Sequence, residues 1–418
     1  MNLKRIWKKS KIIRPLYWAV YTSAPVASVR HASYRRRQDR LLGRILPPIY
    51  AEAAKKTLRA DKVIFVVYRG SDMGDNFRLI YDRLSSRGGL ELKVHYLKYD
   101  QTGRKSYEKR CAALVEDMAD AGVIFLDEAN EVVSCVEMRP QTRVIQLWHA
   151  CGAFKKWGKS TADKIFGSDA NTLKAHPNYR NLTYVTVSSP EVVWAYEEAM
   201  DLKGTATKVL PVGISRTDVF FDPRRRSNAR EKLDAAFPAA NGKKVILYAP
   251  TFRGHVNGAA APDRLDYRKM AGALGSSWVI VSKHHPFIKA KDRPKIPKEL
   301  SGFAADLSDE MNIEDLLMAA DVCISDYSSV IFEYSLLERP MLFFAYDLEN
   351  YDDWRGFYYS YEEMTPGPVC RTTEELIEAL RAAGGDEERA RIRAFREKFM
   401  SGCDGHATER ILKLAFDD

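Results

Sequence analysis

The chain has 418 residues and a mass of 47.6 kDa, 45% hydrophobic and 29% charged, enough for two or three domains with cores of their own. Six cysteines (111, 135, 151, 323, 370 and 403) show neither close pairing nor metal-ligand spacing, which argues for a reducing, cytosolic compartment and against a disulfide scaffold. No apolar run approaches the ~18 residues of a membrane span, and no secretory signal with a cleavage site is visible.

Charge is unevenly spread. Residues 1–60 hold 15 Lys/Arg against Asp39 and Glu52, a balance of +13; the whole chain carries +9, so the remainder carries −4. The arm interleaves Lys4, Arg5, Lys8, Lys9, Lys11 and Arg14 with Ile6, Trp7, Ile12, Ile13, Leu16, Tyr17 and Trp18. A second basic cluster follows at Arg35, Arg36, Arg37, Arg40 and Arg44. This pattern suits a basic amphipathic segment lying on an anionic membrane surface. The same footprint attracts nucleic acid, and a solvated tail is the plainest alternative. The membrane is preferred, and nucleic acid is not expected as a partner, because the Trp and Ile side chains need an apolar environment.

From Lys62 onward short buried strands alternate with helical patterns. Strands are predicted at 62–68, 92–97, 122–127, 143–148, 183–188 and 208–213, with helices at 105–119 and 191–201 between them. The polar, proline-bearing stretch 218–242 reads as a linker. A second series follows, with strands at 243–250, 277–283, 302–307, 321–325 and 340–346 and helices at 267–274, 313–320, 328–338 and 373–383. A last helical pattern, 386–400 and on to 416, is expected to pack back across the first domain. The predicted architecture is α/β: two Rossmann-like domains, 61–225 and 240–385, facing a cleft, with residues 1–60 as the basic segment and 386–418 crossing back. No Gly-rich dinucleotide or P-loop signature follows any strand.

Chemistry concentrates where strands end. His149 sits in QLWHACGAFKKWG (146–158), at the mouth of the cleft after an apolar strand, where a histidine can act as general base. A lone histidine is more often structural, so position alone does not decide. Lys283 and His285 in VSKHHPF (281–287) present a cation and an imidazole to the same crevice. Pro250 and Thr251 close the strand in YAPTFRG (248–254), and Arg216 in GISRTD (213–218) offers a guanidinium suited to phosphate. DVCISDYSSVIFEY (321–334) reads as strand, loop and helix, with Ser328 and Ser329 at the helix start, where an anion is favoured.

In order and kind these stretches resemble the CDP-glycerol glycerophosphotransferases of teichoic acid synthesis, over roughly residues 60–415. DNFRLIYDRL (75–84), the four motifs above, the long run from Asp321 through Gly356, and PGPV (366–369) carry the resemblance. It implies a GT-B-like fold and transfer of glycerol phosphate from CDP-glycerol to a hydroxyl of a lipid-linked acceptor, with release of CMP, at the cytoplasmic face of the membrane. It implies His149 as the base and His285 as a group steadying a phosphate, both imidazoles bordering one pocket. It also places Trp148, Gly152, Arg216, Pro250, Thr251, Lys283, Ser328 and Ser329 around the substrates, with Asp326 ordering its loop. No cofactor is implied, and no metal-ligand cluster is visible.

The chain departs from the family pattern at Ala150, Ser215, Lys283 and Glu333, where glycine, proline, arginine and aspartate are customary. These departures keep CDP-ribitol or another CDP-polyol open as donor. A nucleotide-sugar glycosyltransferase of the same fold is the alternative chemistry, and a binding module with a decayed site the alternative class. The chain length leans the expectation toward adding one or a few units.

Overall fold

The computed structural model describes residues 24–68, 72–99, 102–162, 170–254, 259–349, 351 and 356–417. Residues 1–23 of the basic segment, and 350 and 352–355 of the long run, lie outside the described residues.

Two six-stranded sheets, parallel throughout, organise the chain. The first contains β1 (Arg59–Val67), β2 (Glu91–Tyr96), β3 (Ala121–Leu126), β4 (Arg143–Gln146), β5 (Tyr184–Thr186) and β6 (Lys208–Leu210), in the order β2-β1-β3-β4-β5-β6. The second contains β7 (Lys244–Tyr248), β8 (Trp278–Ser282), β9 (Ala304–Asp306), β10 (Val322–Ser325), β11 (Met341–Phe344) and β12 (Val369–Cys370), in the order β12-β11-β10-β7-β8-β9. Read from β9, the second is the Rossmann order, whose direction reverses between β7 and β10. Val63–Val67 of β1 and all of β3 are buried, as strands covered on both faces must be, and this is why they read as unbroken Val/Ile/Phe runs.

The stretch predicted as a linker is mostly helix, Pro223–Ala236. Asp222 caps it by accepting from the Arg224 amide, Pro223 occupies the first turn, and Ala229 and Leu233 are buried. Proline there is a helix starter rather than a breaker. The basic segment also ends earlier than the charge pattern suggested. Leu41, Leu42, Leu46, Tyr50 and Ala53 belong to the first domain's core, whereas Arg35, Arg36, Arg37, Arg40 and Arg44 are exposed.

The last two helices, Asp386–Met400 and Ala407–Phe416, run from the second domain onto the first. Phe395 stacks on Phe332 at 5.4 Å between ring centroids, while the Phe399 carbonyl accepts from the Ser188 hydroxyl at 2.7 Å. Ile411, Leu412 and Ala415 then join Val63, Phe65, Phe77 and Phe125 in one cluster. Asp218 accepts from the amides of Ala407 and Thr408, and the Ser215 hydroxyl meets that of Thr408 at 2.9 Å. Ser215 thus helps to clamp the returning helix. No helix among the described residues is long and apolar enough to cross a membrane.

Candidate active site

In parallel α/β sheets ligands bind beyond the carboxyl ends of the strands, at the crevice where strand order reverses. In the second sheet that crevice lies between β7 and β10, and the loops leaving these strands carry Pro250, Thr251, Asp326, Ser328 and Ser329. Asp326 is buried under the loops. One of its oxygens accepts from the amides of Thr251 at 2.8 Å and Tyr327 at 2.6 Å, and the other from Arg253 at 2.9 Å. Arg253 also grips Asp347 with two bonds of 2.7 and 2.9 Å and lies over the rings of Tyr327 and Tyr351. Asp326 therefore positions its neighbours, and Arg253 is neutralised within the protein. Ser329 occupies the start of the helix Val330–Ser335, yet its hydroxyl makes no capping bond, and Ser328 Oγ stands 3.5 Å from the Val330 amide. Both serines are half-buried.

The first sheet supplies the imidazole. Leu147 and Trp148 follow β4, and Trp148 takes a left-handed backbone (φ 60°), uncommon for a bulky residue and found where a chain is re-aimed at a site. The Gln146 side chain accepts from the Trp148 amide at 3.0 Å and donates to the Glu128 carbonyl at 2.9 Å, so one buried amide ties the end of β4 to the end of β3. Trp148 stacks on Trp157 at 4.2 Å. His149 comes next, its Nδ1 3.1 Å from Glu128 Oε1, with 39% of the side chain exposed against 8% for Glu128. Burial lifts the Cys151 thiol well above its usual range, so the cysteine two residues on is no nucleophile.

From His149 the loop runs to the second domain. Gly152 (φ 62°) lies against the Phe332 ring, where a Cβ would come within 2.2 Å of a ring carbon. Gly152 thus allows the two halves to pack closely. Lys155 pairs with Phe357 in an antiparallel bridge, the Lys156 amide donates to the Gly356 carbonyl at 3.0 Å, and the Tyr358 amide donates to the Phe154 carbonyl at 3.1 Å. Lys155 Nζ reaches Thr251 Oγ1 at 3.5 Å. Phe252, the next residue, packs against His285 with ring centroids 4.8 Å apart and the rings tilted by 54°. His285 is half-buried and its Nδ1 accepts from the Phe287 amide at 3.2 Å.

Two expected cations are engaged elsewhere. Lys283 donates to the carbonyls of Ser308 at 2.7 Å and Met311 at 2.6 Å, and burial pushes its ammonium below the usual range, with Glu314 and Asp309 opposing. Arg216 lies between Glu333 and Glu314, the latter at 3.4 Å. Burial raises the Glu314 carboxyl, with Arg216 opposing. Beside Arg216 a cavity of about 310 Å³ opens between the domains, bordered by Arg78, Asp218, Arg225 and Thr408 among others. Neither imidazole borders it, so it is not the common pocket expected for them. Among the described residues no group of three or more His, Cys, Asp or Glu side chains is placed to hold a metal ion.

Two residues escaped the sequence reading. Glu128 had one available signal, an acidic pair (Asp127-Glu128) closing a wholly apolar strand. Lys155 lay in plain view in the histidine motif, but only the fold shows that it reaches Thr251.

Two parallel-sheet domains with facing strand-end loops define a GT-B-like fold. The chain belongs to the CDP-glycerol:poly(glycerophosphate) glycerophosphotransferase family, whose profile matches residues 49–417. It is 36% identical over 381 residues to the teichoic acid ribitol-phosphate primase of Bacillus spizizenii, covering 88% of this chain and 96% of the primase. It is 30% identical over 299 residues to the teichoic acid glycerol-phosphate primase of the same organism, covering 71% and 75%. The wall teichoic acid polymerase TagF, in a variant soaked with CDPG, shares the fold with a TM-score of 0.71 at 22% identity, over 93% of this chain and 96% of that one.

Proposed function

We propose that this chain transfers a polyol phosphate from a CDP-activated polyol to a hydroxyl of a lipid-linked acceptor, releasing CMP. The observation that carries this reading is the loop 149–158, which brings the His149 segment up to Thr251 at the crevice of the second sheet. On this reading the acceptor oxygen attacks the phosphorus that bears the polyol. A new P–O bond forms, the bond to the bridging oxygen breaks, and that oxygen leaves with CMP. The hydroxyl proton passes to His149 Nε2. Such a displacement asks chiefly for positioning and charge stabilisation. The hydroxyls of Thr251, Ser328 and Ser329 hold the diphosphate, Lys155 opposes its charge, His285 donates to it through Nε2–H, and Pro250 shapes the nucleotide side. Trp148 and Gly152 act through the loop, and Arg216 and Lys283 through the walls of the cleft.

Glycerol is the donor polyol implied by the motif resemblance, and the CDPG soak of TagF supports a CDP-polyol. The identity of 36% to a ribitol-phosphate primase favours CDP-ribitol as the second reading. The exposed arginines at 35, 36, 37, 40 and 44 support peripheral attachment to the anionic cytoplasmic face, where a lipid-linked acceptor is reached. The test incubates the purified chain with CDP-glycerol or CDP-ribitol and a lipid-linked disaccharide, and follows CMP. Release from one donor identifies the polyol, and release from neither overturns the reading.

A further inference from the structure

We propose that Glu128 is the positioning residue for the His149 base, holding the imidazole as its Nδ1–H tautomer so that Nε2 keeps the lone pair that takes the proton. This deepens the phosphotransferase reading and rests on it. Nδ1 and Glu128 Oε1 are 3.1 Å apart, and the carboxylate is the buried member of the pair while the imidazole is the half-exposed one. A carboxylate so buried needs a compensating partner, and the imidazole lies at ion-pair distance from it, with Nδ1 buried. The pairing is built into the sheet, because Leu126 of β3 lies in register with Gln146 of β4 and both residues leave adjacent strand ends.

The supports are equally specific. The Gln146 amide bonds both the Glu128 carbonyl and the Trp148 amide, so it fixes the backbone of the carboxylate and that of the imidazole together. Two residues on, Asn130 caps the turn Glu131–Ser134 through its side chain, and its amide donates to the Asn178 carbonyl at 3.0 Å, which anchors the backbone that follows Glu128. Tyr196 donates to the carbonyls of Ala150 and Gly152 at 3.1 and 3.2 Å and steadies the loop on the other side of His149. A carboxylate on one ring nitrogen selects the tautomer and stabilises the imidazolium formed when the other nitrogen accepts a proton.

The test compares wild type, Glu128→Gln, His149→Ala and the double variant as full chains, with ¹⁵N-histidine spectra and CMP release as readouts. The resonance lost in His149→Ala identifies His149. In wild type it shows Nδ1–H with Nε2 unprotonated, and in Glu128→Gln the population moves toward the other tautomer. Glu128→Gln lowers kcat by about 10- to 100-fold, the scale on which orienting partners of functional histidines act, while KM for the donor holds. Glu128→Asp, which keeps the charge, recovers part of the loss. In the His149→Ala background Glu128→Gln costs nothing further. An unchanged tautomer in Glu128→Gln, or an undiminished loss in the double variant, overturns the proposal. A wild-type chain that turns over no CDP-polyol overturns the function instead, and the spectra still decide the role of Glu128.

Discussion

The two halves of the cleft are built on opposite plans. In the second domain, charge is paired internally: the Arg253 guanidinium bridges the carboxylates of Asp326 and Asp347 under stacked tyrosines, so none of the three is a free charge. In the first domain, a partly exposed imidazole is set beside one buried carboxylate on a left-handed turn. The second plan gives rigidity, which suits holding a nucleotide in one pose. The first gives a group whose protonation can change, which suits a base. Under the proposed function, a site that joins the two can position a donor without a side chain of the second domain having to titrate.

The largest expected effect lies on the histidine side. His149→Ala is expected to lower kcat by about 10²–10⁴-fold, the usual contribution of a general base, with a much smaller fall in melting temperature from the Glu128 carboxylate left without its partner. A comparable loss of both stability and activity would show that the imidazole is structural and would erase the contrast. Arg253→Met should do the reverse on the nucleotide side, leaving two carboxylates without their cation and costing about 3–5 kcal/mol, seen as a lower denaturation midpoint. Gly152→Ala comes next. Its left-handed backbone alone costs about 1–2 kcal/mol with a Cβ, and the Phe332 ring must also move, so melting temperature and turnover should fall together.

The smallest effect concerns His284, buried beside the catalytic candidates, where burial holds its pKa below the ordinary 6.5. The unfolded chain then takes up a proton that the folded one refuses. Stability is complete above about pH 6.5 and declines as pH falls toward the lowered folded value, by at most about 1.4 kcal/mol per pH unit. Urea unfolding between pH 7.5 and 5.5 should show a shallower decline in His284→Gln, with His95, also lowered chiefly by burial, supplying the remainder. An equal slope would place the acid sensitivity elsewhere.

The strand series was legible because parallel strands covered on both faces must be apolar throughout, and few other segments are. β12 was missed because a two-residue strand, Val369–Cys370, has no period to read. The helix Pro223–Ala236 was mistaken for a linker because proline marks both turns and helix starts, and only the Asp222 cap separates the two. Within the site, the residues in the motifs were legible one by one, but their engagements were not. Whether Arg216 faces a phosphate or two carboxylates depends on Glu314 and Glu333, about a hundred residues away along the chain. Glu128 escaped for the same reason, since its importance comes from lying next to β4 in space.

The short bridge between Lys155 and Phe357 makes the His149 segment a tenant of both domains. Any hinge motion wide enough to peel that bridge apart also withdraws the imidazole segment from Thr251. Under the proposed function a gaping molecule is in that event a disarmed one, and an activated donor caught in it would meet water without a partner to sharpen the water's attack.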